Sequence, residues 1–245
     1  MKERLIPYNP CENCRIPPKD KKEMTILPPE KIGRYLQEAE KYGVLPMFYL
    51  ELSSGLRRGE LLALQWEDLN VKERILTVNK QVTRMEGELD VTEPKTKNSV
   101  RKVALSQQAV DLLVQEHEQH PDNPILFPSP RTGGYWSPDA VSRINRKLLK
   151  SAGIEEHVRF HDLRHTFATM AISSGVDVKT LSSMLGHFSA GFTLDTYTHI
   201  TNDMQRGAAE KIGGFMESVT AANTPEPPDP PEQGQCKVIP FEKVG

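Results

Sequence analysis

Apolar residues recur at helical spacing through the first quarter of the chain. Thr25, Leu27, Pro28, Pro29 and Glu30 mark a helix start, and Ile32, Tyr35, Leu36 and Ala39 then fall on one side of it. A second apolar stretch, Val44 to Leu52, stops at Ser53, Ser54 and Gly55, and a short third helix follows through Glu60, Leu61, Leu62 and Leu64. After Trp66 the period falls to two. Ile75, Thr77 and Asn79 alternate with Leu76, Val78 and Lys80, and strand-like runs return at Glu88 to Thr92 and Val100 to Leu105. These predict a small three-stranded antiparallel sheet. From Ser106 to about Val219 the pattern is helical again, with Ser106 and Ser137 as N-caps and Pro138 at the first helical position. The expected fold class is α+β, mostly α, with no internal repeat.

The two ends differ from this body. Residues 1–24, with PYNPCENCRIPPKDKKE, are rich in Pro, Lys and small polar residues and read as a linker. Residues 221–245 are Pro-rich and acidic and read as a disordered tail, which leaves one domain over 25–220. A hydrophobic content of 37% in 245 residues is enough for an ordinary core. No apolar run approaches the roughly 18 to 20 residues that span a bilayer, and MKERLIPYNP lacks the apolar stretch of a signal peptide, so a cytoplasmic protein without membrane contact is expected. Cys11 and Cys14 form one CxxC and Cys236 stands alone. A zinc site needs four ligands and no second pair completes one, so two loop thiols are expected rather than a metal.

The net charge of −2 does not by itself point to nucleic acid, whose partners usually present excess Lys and Arg. From Glu217 onward five carboxylates face two lysines, so the tail carries −3 and residues 1–216 carry +1. Motifs must carry the functional argument. SSGLRRGELLALQW (53–66), FHDLRHTFATMAISSG (160–175) and LGHFSAGFTLDTYTH (185–199) place two arginines, two histidines and a tyrosine near helix ends, where side chains converge on a single anion. Singly each has a bland reading: a solvated cation, a helix-surface histidine, a core tyrosine with a wet hydroxyl.

Together GLRRGE, HDLRHTFAT, LGH and DTYTH, in this order, resemble the tyrosine recombinase family, especially integrases of temperate phages and conjugative transposons, over nearly all of residues 25–215. The resemblance implies the catalytic-domain fold of that family and strand cleavage and rejoining of double-stranded DNA at an attachment-site core. It further implies that Arg57 and Arg164 grip the scissile phosphate, a task for a planar, permanently charged guanidinium. Lys95 matches the hairpin lysine that protonates the leaving 5′ oxygen, although Lys97 lies two residues on and on the same face. His161 would accept or relay the nucleophile's proton, and His187 would donate to a phosphate oxygen. His165 is left outside the site. Glu60 resembles the acidic partner that orients these groups, or is a plain helix N-terminal carboxylate.

Tyr197, ten residues after His187, stands where the family carries its nucleophile. It would form a 3′-phosphotyrosyl bond and release a 5′ hydroxyl, exchanging one phosphodiester for another without ATP, metal or other cofactor. Tyr35, Tyr42, Tyr49 and Tyr135 lack that setting. After Tyr197, Ala208, Ala209, Ile212, Phe215 and Met216 make an apolar stripe, which would either dock on a neighbouring subunit in a DNA-bound tetramer or fold back on its own domain. An excisionase or a host DNA-bending protein would be the accessory partner. The family's amino-terminal clamp domain is not in this sequence, so the chain reads as a truncated frame, a remnant or an excised piece with weakened DNA binding. A non-catalytic remnant that modulates a full-length integrase is therefore the alternative reading, and a type IB topoisomerase is a third.

Overall fold

The computed structural model describes Cys14 and residues 25–85, 87–93, 100–186 and 209–219. They fall into two compact units, one within residues 1–200 and one within 201–245. The first begins with α1 (Pro29–Lys41), α2 (Leu45–Ser54) and α3 (Arg58–Ala63). A proline fixes φ near its helical value and has no N–H to leave unpaired, so α1 starts at Pro29 with Pro28 as its cap residue, and Thr25 stands outside. α2 ends at Gly55 with φ 61°. A Cβ there would lie 2.3 Å from Cδ1 of Phe167 and 2.9 Å from Cδ2 of Leu185, so sterics as well as backbone angle require glycine.

The core is built around α2, which packs on α1, a later helix α4 (Gln107–Glu118) and α6 (Phe160–Ser173). Phe48 stands edge-on to Tyr35 and to Phe160, with ring centroids 5.9 and 5.6 Å away. The buried Tyr35 hydroxyl donates to Asn145 Oδ1 at 2.6 Å, and Asn145 Nδ2 donates to the Val158 carbonyl at 2.9 Å. Asn145 lies on α5 (Pro138–Ser151), and this buried pair ties that helix to α1. α7 (Val178–Leu185) packs on the far side of α6, where Phe167, Ala168, Ala171, Ile172, Leu181 and Leu185 form a second, smaller cluster.

Between α3 and α4 lie β1 (Leu69–Asn70), β2 (Ile75–Val78), β3 (Gln81–Met85), β4 (Glu88–Thr92) and β5 (Arg101–Ala104). The three-stranded antiparallel sheet exists, with order β1-β2-β5. Its membership differs from the sequence expectation, because Glu88–Thr92 pairs with β3 in a separate hairpin and the third strand is the two-residue β1. Two residues are too few to show an alternating pattern. The hairpin approaches α3 closely: a Cβ on Gly59 would come within 2.8 Å of the Val82 carbonyl oxygen.

Ser106 caps α4, its Oγ accepting from Ala109 N at 3.2 Å, whereas Ser137 precedes α5 without a side-chain cap bond. The stretch from α4 to α5 is irregular rather than helical. Pro121, Pro124, Pro128 and Pro130 remove the donors a helix needs, and the chain instead docks in extended form on the exit of α3, with Leu126 N bonded to the Leu64 carbonyl. In the second unit, residues 209–219 form α8. No helix among the described residues is long and apolar enough to cross a membrane.

Candidate active site

Two short connections bring the charged residues together: the α2–α3 turn and the end of α7. Arg57 is the N-cap residue of α3, and its backbone N–H donates to Glu60 Oε2 at 2.9 Å. The Glu60 side chain therefore folds back over the first turn, as an acidic group at the third helical position does. The Arg57 guanidinium then donates through Nη1 to Glu60 Oε1 at 2.7 Å and through Nη2 to the Gly186 carbonyl at 2.9 Å. Gly186 ends α7 with φ 63°, so the turn is left-handed and its carbonyl points back at Arg57.

Arg164 arrives from α6, one turn past His161. It is 3% exposed, and its Nη1 and Nη2 donate to the carbonyls of Gly55 and Leu185, both at 2.7 Å. A guanidinium carries five donors, so two backbone bonds fix its plane without exhausting it. Burial, with the charge of Arg57 second, pushes its pKa down to about 10, still cationic at neutral pH. Arg57, Glu60 and Arg164 thus converge on the Leu185–Gly186 turn, immediately before His187. His161 occupies the first turn of α6, its ring edge-on to His165 at 5.2 Å. Burial first, then Arg164, lowers the His161 pKa, and burial together with His161 pushes His165 down to about 4. Both rings are neutral at neutral pH. Lys95, Lys97, His187, Tyr197 and Ala208 lie outside the described residues.

The expected set omitted one residue. Arg101, at the start of β5, is buried and bonds Glu60 with both terminal nitrogens, Nη1 to Oε1 at 3.1 Å and Nη2 to Oε2 at 2.8 Å, while Nε donates to the Met184 carbonyl at 2.6 Å. The signal was present in the sequence: Arg101 and Val103 alternate along β5 with the buried Leu105 next in the same row, and an arginine in an apolar row requires a partner. Burial opposes ionisation of Glu60, but hydrogen bonds and charge from Arg101, with Arg57 adding to them, outweigh it and hold the carboxyl below its ordinary value. A second buried carboxyl, Glu51 on α2, has no hydrogen-bond partner for either oxygen among the described residues.

A cleft of about 570 Å³ opens beside His161, between α3, α5 and the start of α6. Arg58, Arg146, His157 and Arg159 line it with Ser142 and Asn145. Arg58 is held there by Ser142 Oγ at 2.7 Å, and the exposed Arg159 by two bonds to Asp162. The cleft is strongly cationic although the whole chain is not.

A mostly helical domain with small antiparallel sheets is the architecture of tyrosine recombinase catalytic domains. The fold matches that of XerA recombinase with a TM-score of 0.63 at 27% identity, over 79% of this chain and 67% of that one. It also matches the Tn1549 transposon integrase in complex with transposon right-end DNA, with a TM-score of 0.69 at 23% identity, over 79% of this chain and 68% of that one. In sequence, the chain is 30% identical over 227 residues to the ICEBs1 integrase of Bacillus subtilis (strain 168), an alignment covering 87% of this chain and 61% of that protein. The chain spans about three fifths of the length of such curated relatives. The phage integrase family profile matches residues 27–204, and the chain belongs to that family.

Proposed function

We propose that this chain is the catalytic domain of a site-specific recombinase, which cleaves and rejoins double-stranded DNA through a 3′-phosphotyrosyl bond at Tyr197 during integration and excision of a mobile element. The observation that carries this reading is the convergence of Arg57 and Arg164 on the turn before His187, two permanent cations fixed by backbone carbonyls and by Glu60. In this reading the pair holds the non-bridging oxygens of the scissile phosphate and stabilises the charge that builds on them as the tyrosine oxygen attacks. Because their hydrogen bonds are made before DNA arrives, little reorganisation is left for the reaction itself.

His161, neutral and beside Arg164, takes the phenolic proton of Tyr197, and His187 donates to a phosphate oxygen. Lys95 delivers a proton to the departing 5′ oxygen. The 3′ oxygen keeps its phosphate throughout: the bond from phosphorus to the 5′ oxygen breaks as the bond to the tyrosine oxygen forms, and a 5′ hydroxyl later reverses the exchange, so one ester replaces another at each step. The cationic cleft beside His161 would take flanking phosphates of the duplex, a contact set that orients DNA without reading sequence.

The catalytic unit is proposed to cover residues 25–220, with 1–24 as a linker and 221–245 as a tail, acting in the cytoplasm. On DNA it would assemble as a tetramer by exchange of α8, with an excisionase or DNA-bending protein assisting.

A nicked duplex carrying the attachment-site core tests the proposal, since loss of the short strand traps the covalent intermediate. The unsubstituted chain should give a protein-DNA adduct on denaturing gels that disappears in Tyr197→Phe. An adduct from the Phe variant, or none from the unsubstituted chain at high protein concentration, would remove the reading.

A further inference from the structure

Arg101 takes no part in the chemistry above, yet it is among the most constrained side chains of the site. Among the described residues its guanidinium donates to two separate pieces of chain: the Glu60 carboxylate on α3 and the Met184 carbonyl near the end of α7. We propose that Arg101 is a positioning residue of the cleavage reaction, one that sets the Arg57 guanidinium against the scissile phosphate by fixing Glu60 and the Gly186 turn together. The inference rests on the recombinase reading of the site.

Glu60 is the hub. Oε1 accepts from Arg57 Nη1 and from Arg101 Nη1, and Oε2 accepts from the Arg57 backbone N–H and from Arg101 Nη2. The Arg57 side chain is 37% exposed, whereas those of Arg101 and Glu60 are 6% and 2% exposed. The exposed guanidinium is therefore steered by a carboxylate that is itself locked from behind. The second route runs through Gly186, whose carbonyl accepts from Arg57 Nη2. A Cβ on Gly186 would meet Nη1, Cδ and Cζ of Arg101 at 3.1 to 3.3 Å, so the turn lies directly on the arginine. Arg57, Glu60, Arg101 and the α7 end thus close a ring, and removing Arg101 releases two of its members at once.

Stability alone does not account for this arrangement. Val103 and Leu105 occupy the same inward row, and an apolar residue at position 101 would avoid the desolvation of a buried cation. Only a rigid fork reaches both oxygens of Glu60 while its Nε meets a third acceptor, which lysine cannot do. β5 also follows the segment bearing Lys95 in sequence, so the same side chain anchors the strand next to the proposed proton donor.

The test compares two esters in the nicked duplex: the ordinary scissile phosphodiester, and a methylphosphonate, which is neutral and gains less from a guanidinium. Arg101→Met should form adduct about 100-fold more slowly than the unsubstituted protein on the phosphodiester, with DNA affinity unchanged, because a slightly displaced catalytic group loses that much. On the methylphosphonate its rate should return to within about tenfold of the unsubstituted protein's, since the charge that Arg57 neutralises is no longer there. If Arg101→Met lacks a cooperative melt, Arg101→Lys, which keeps the cation but not the fork, is judged by the same comparison.

Equal defects on the two esters, no adduct from the variant on the neutral one, or cleavage of the phosphodiester at the unsubstituted rate would each overturn the inference while leaving the recombinase reading in place. Absence of adduct from the unsubstituted chain would remove both.

Discussion

Two buried glutamates stand within reach of the same arginines and titrate in opposite directions. Glu60 is enclosed by Arg101 and Arg57, which hold its pKa down, whereas burial raises the pKa of Glu51 well above its ordinary value, with Arg164 only partly opposing, and so favours its neutral form. A carboxyl with neither oxygen bonded among the described residues has exchanged its water for nothing visible. Glu51→Met should therefore stabilise the fold by about 1 to 3 kcal/mol at neutral pH, the desolvation of a buried polar group. The sign follows from linkage. A carboxyl whose folded pKa lies above its ordinary 4.5 favours folding below that value and loses the contribution as pH rises, so the Met variant's advantage should grow from acid to neutral pH. Thermal unfolding at the two pH values measures it; a variant that melts lower at both would show that Glu51 supports Arg164 instead.

At the scale of elements, α6 carries the proposed base, the second arginine and the wall shared by both hydrophobic clusters. Its first turn is fixed by Asp162, whose Oδ2 accepts from the Arg159 backbone N–H at 2.8 Å. Burial opposes Asp162 ionisation, but the Arg159 hydrogen bonds and charge outweigh it and lower its pKa. The histidines one turn apart are lowered, not raised, and a base must be neutral to accept a proton. The protonated fraction of His161 therefore grows only below its ordinary 6.5, and the cleavage rate should stay level through neutral pH and fall on the acid side of that value. Single-turnover adduct formation across pH checks this. A rate already falling steeply between pH 8 and 7 would mean that His161 is cationic in the working complex.

At the scale of the whole molecule, α8 carries an apolar row among the described residues: Ile212, Phe215 and Met216 are 63%, 66% and 54% exposed. In the proposed tetramer α8 docks on a neighbouring protomer. Phe215→Glu should then leave the thermal unfolding of the catalytic unit and its adduct on an isolated half-site unchanged, while abolishing complexes of more than one protomer on a full site. Native gel mobility shift and sedimentation separate the two, and unchanged assembly by the Glu variant would rule out exchange through this face. DNA affinity should fall steeply with salt, because phosphate contacts release counterions whatever the net charge of −2.

The chain's periodicities were sufficient for α1 and α5, because each buries one face and a buried face imposes its spacing on the sequence, whereas α2, buried over most of its surface, was legible as an apolar run that stops at Ser53, Ser54 and Gly55. The places of the motif arginines and Glu60 were equally legible, since they stand at fixed offsets around Gly55 and along α6. Strand partnership was not. A strand such as Glu88–Thr92 reads the same whichever neighbour it bonds; it pairs with β3, the strand that packs on α3 where Gly59 leaves room. Arg101 shows the same limit at the site. Sequence alternation puts Arg101 in one row with Val103 and Leu105 without saying that the row faces inward, and its partners are distant in the chain; a buried charge acquires its meaning only when folding brings a carboxylate and a helix end to meet it.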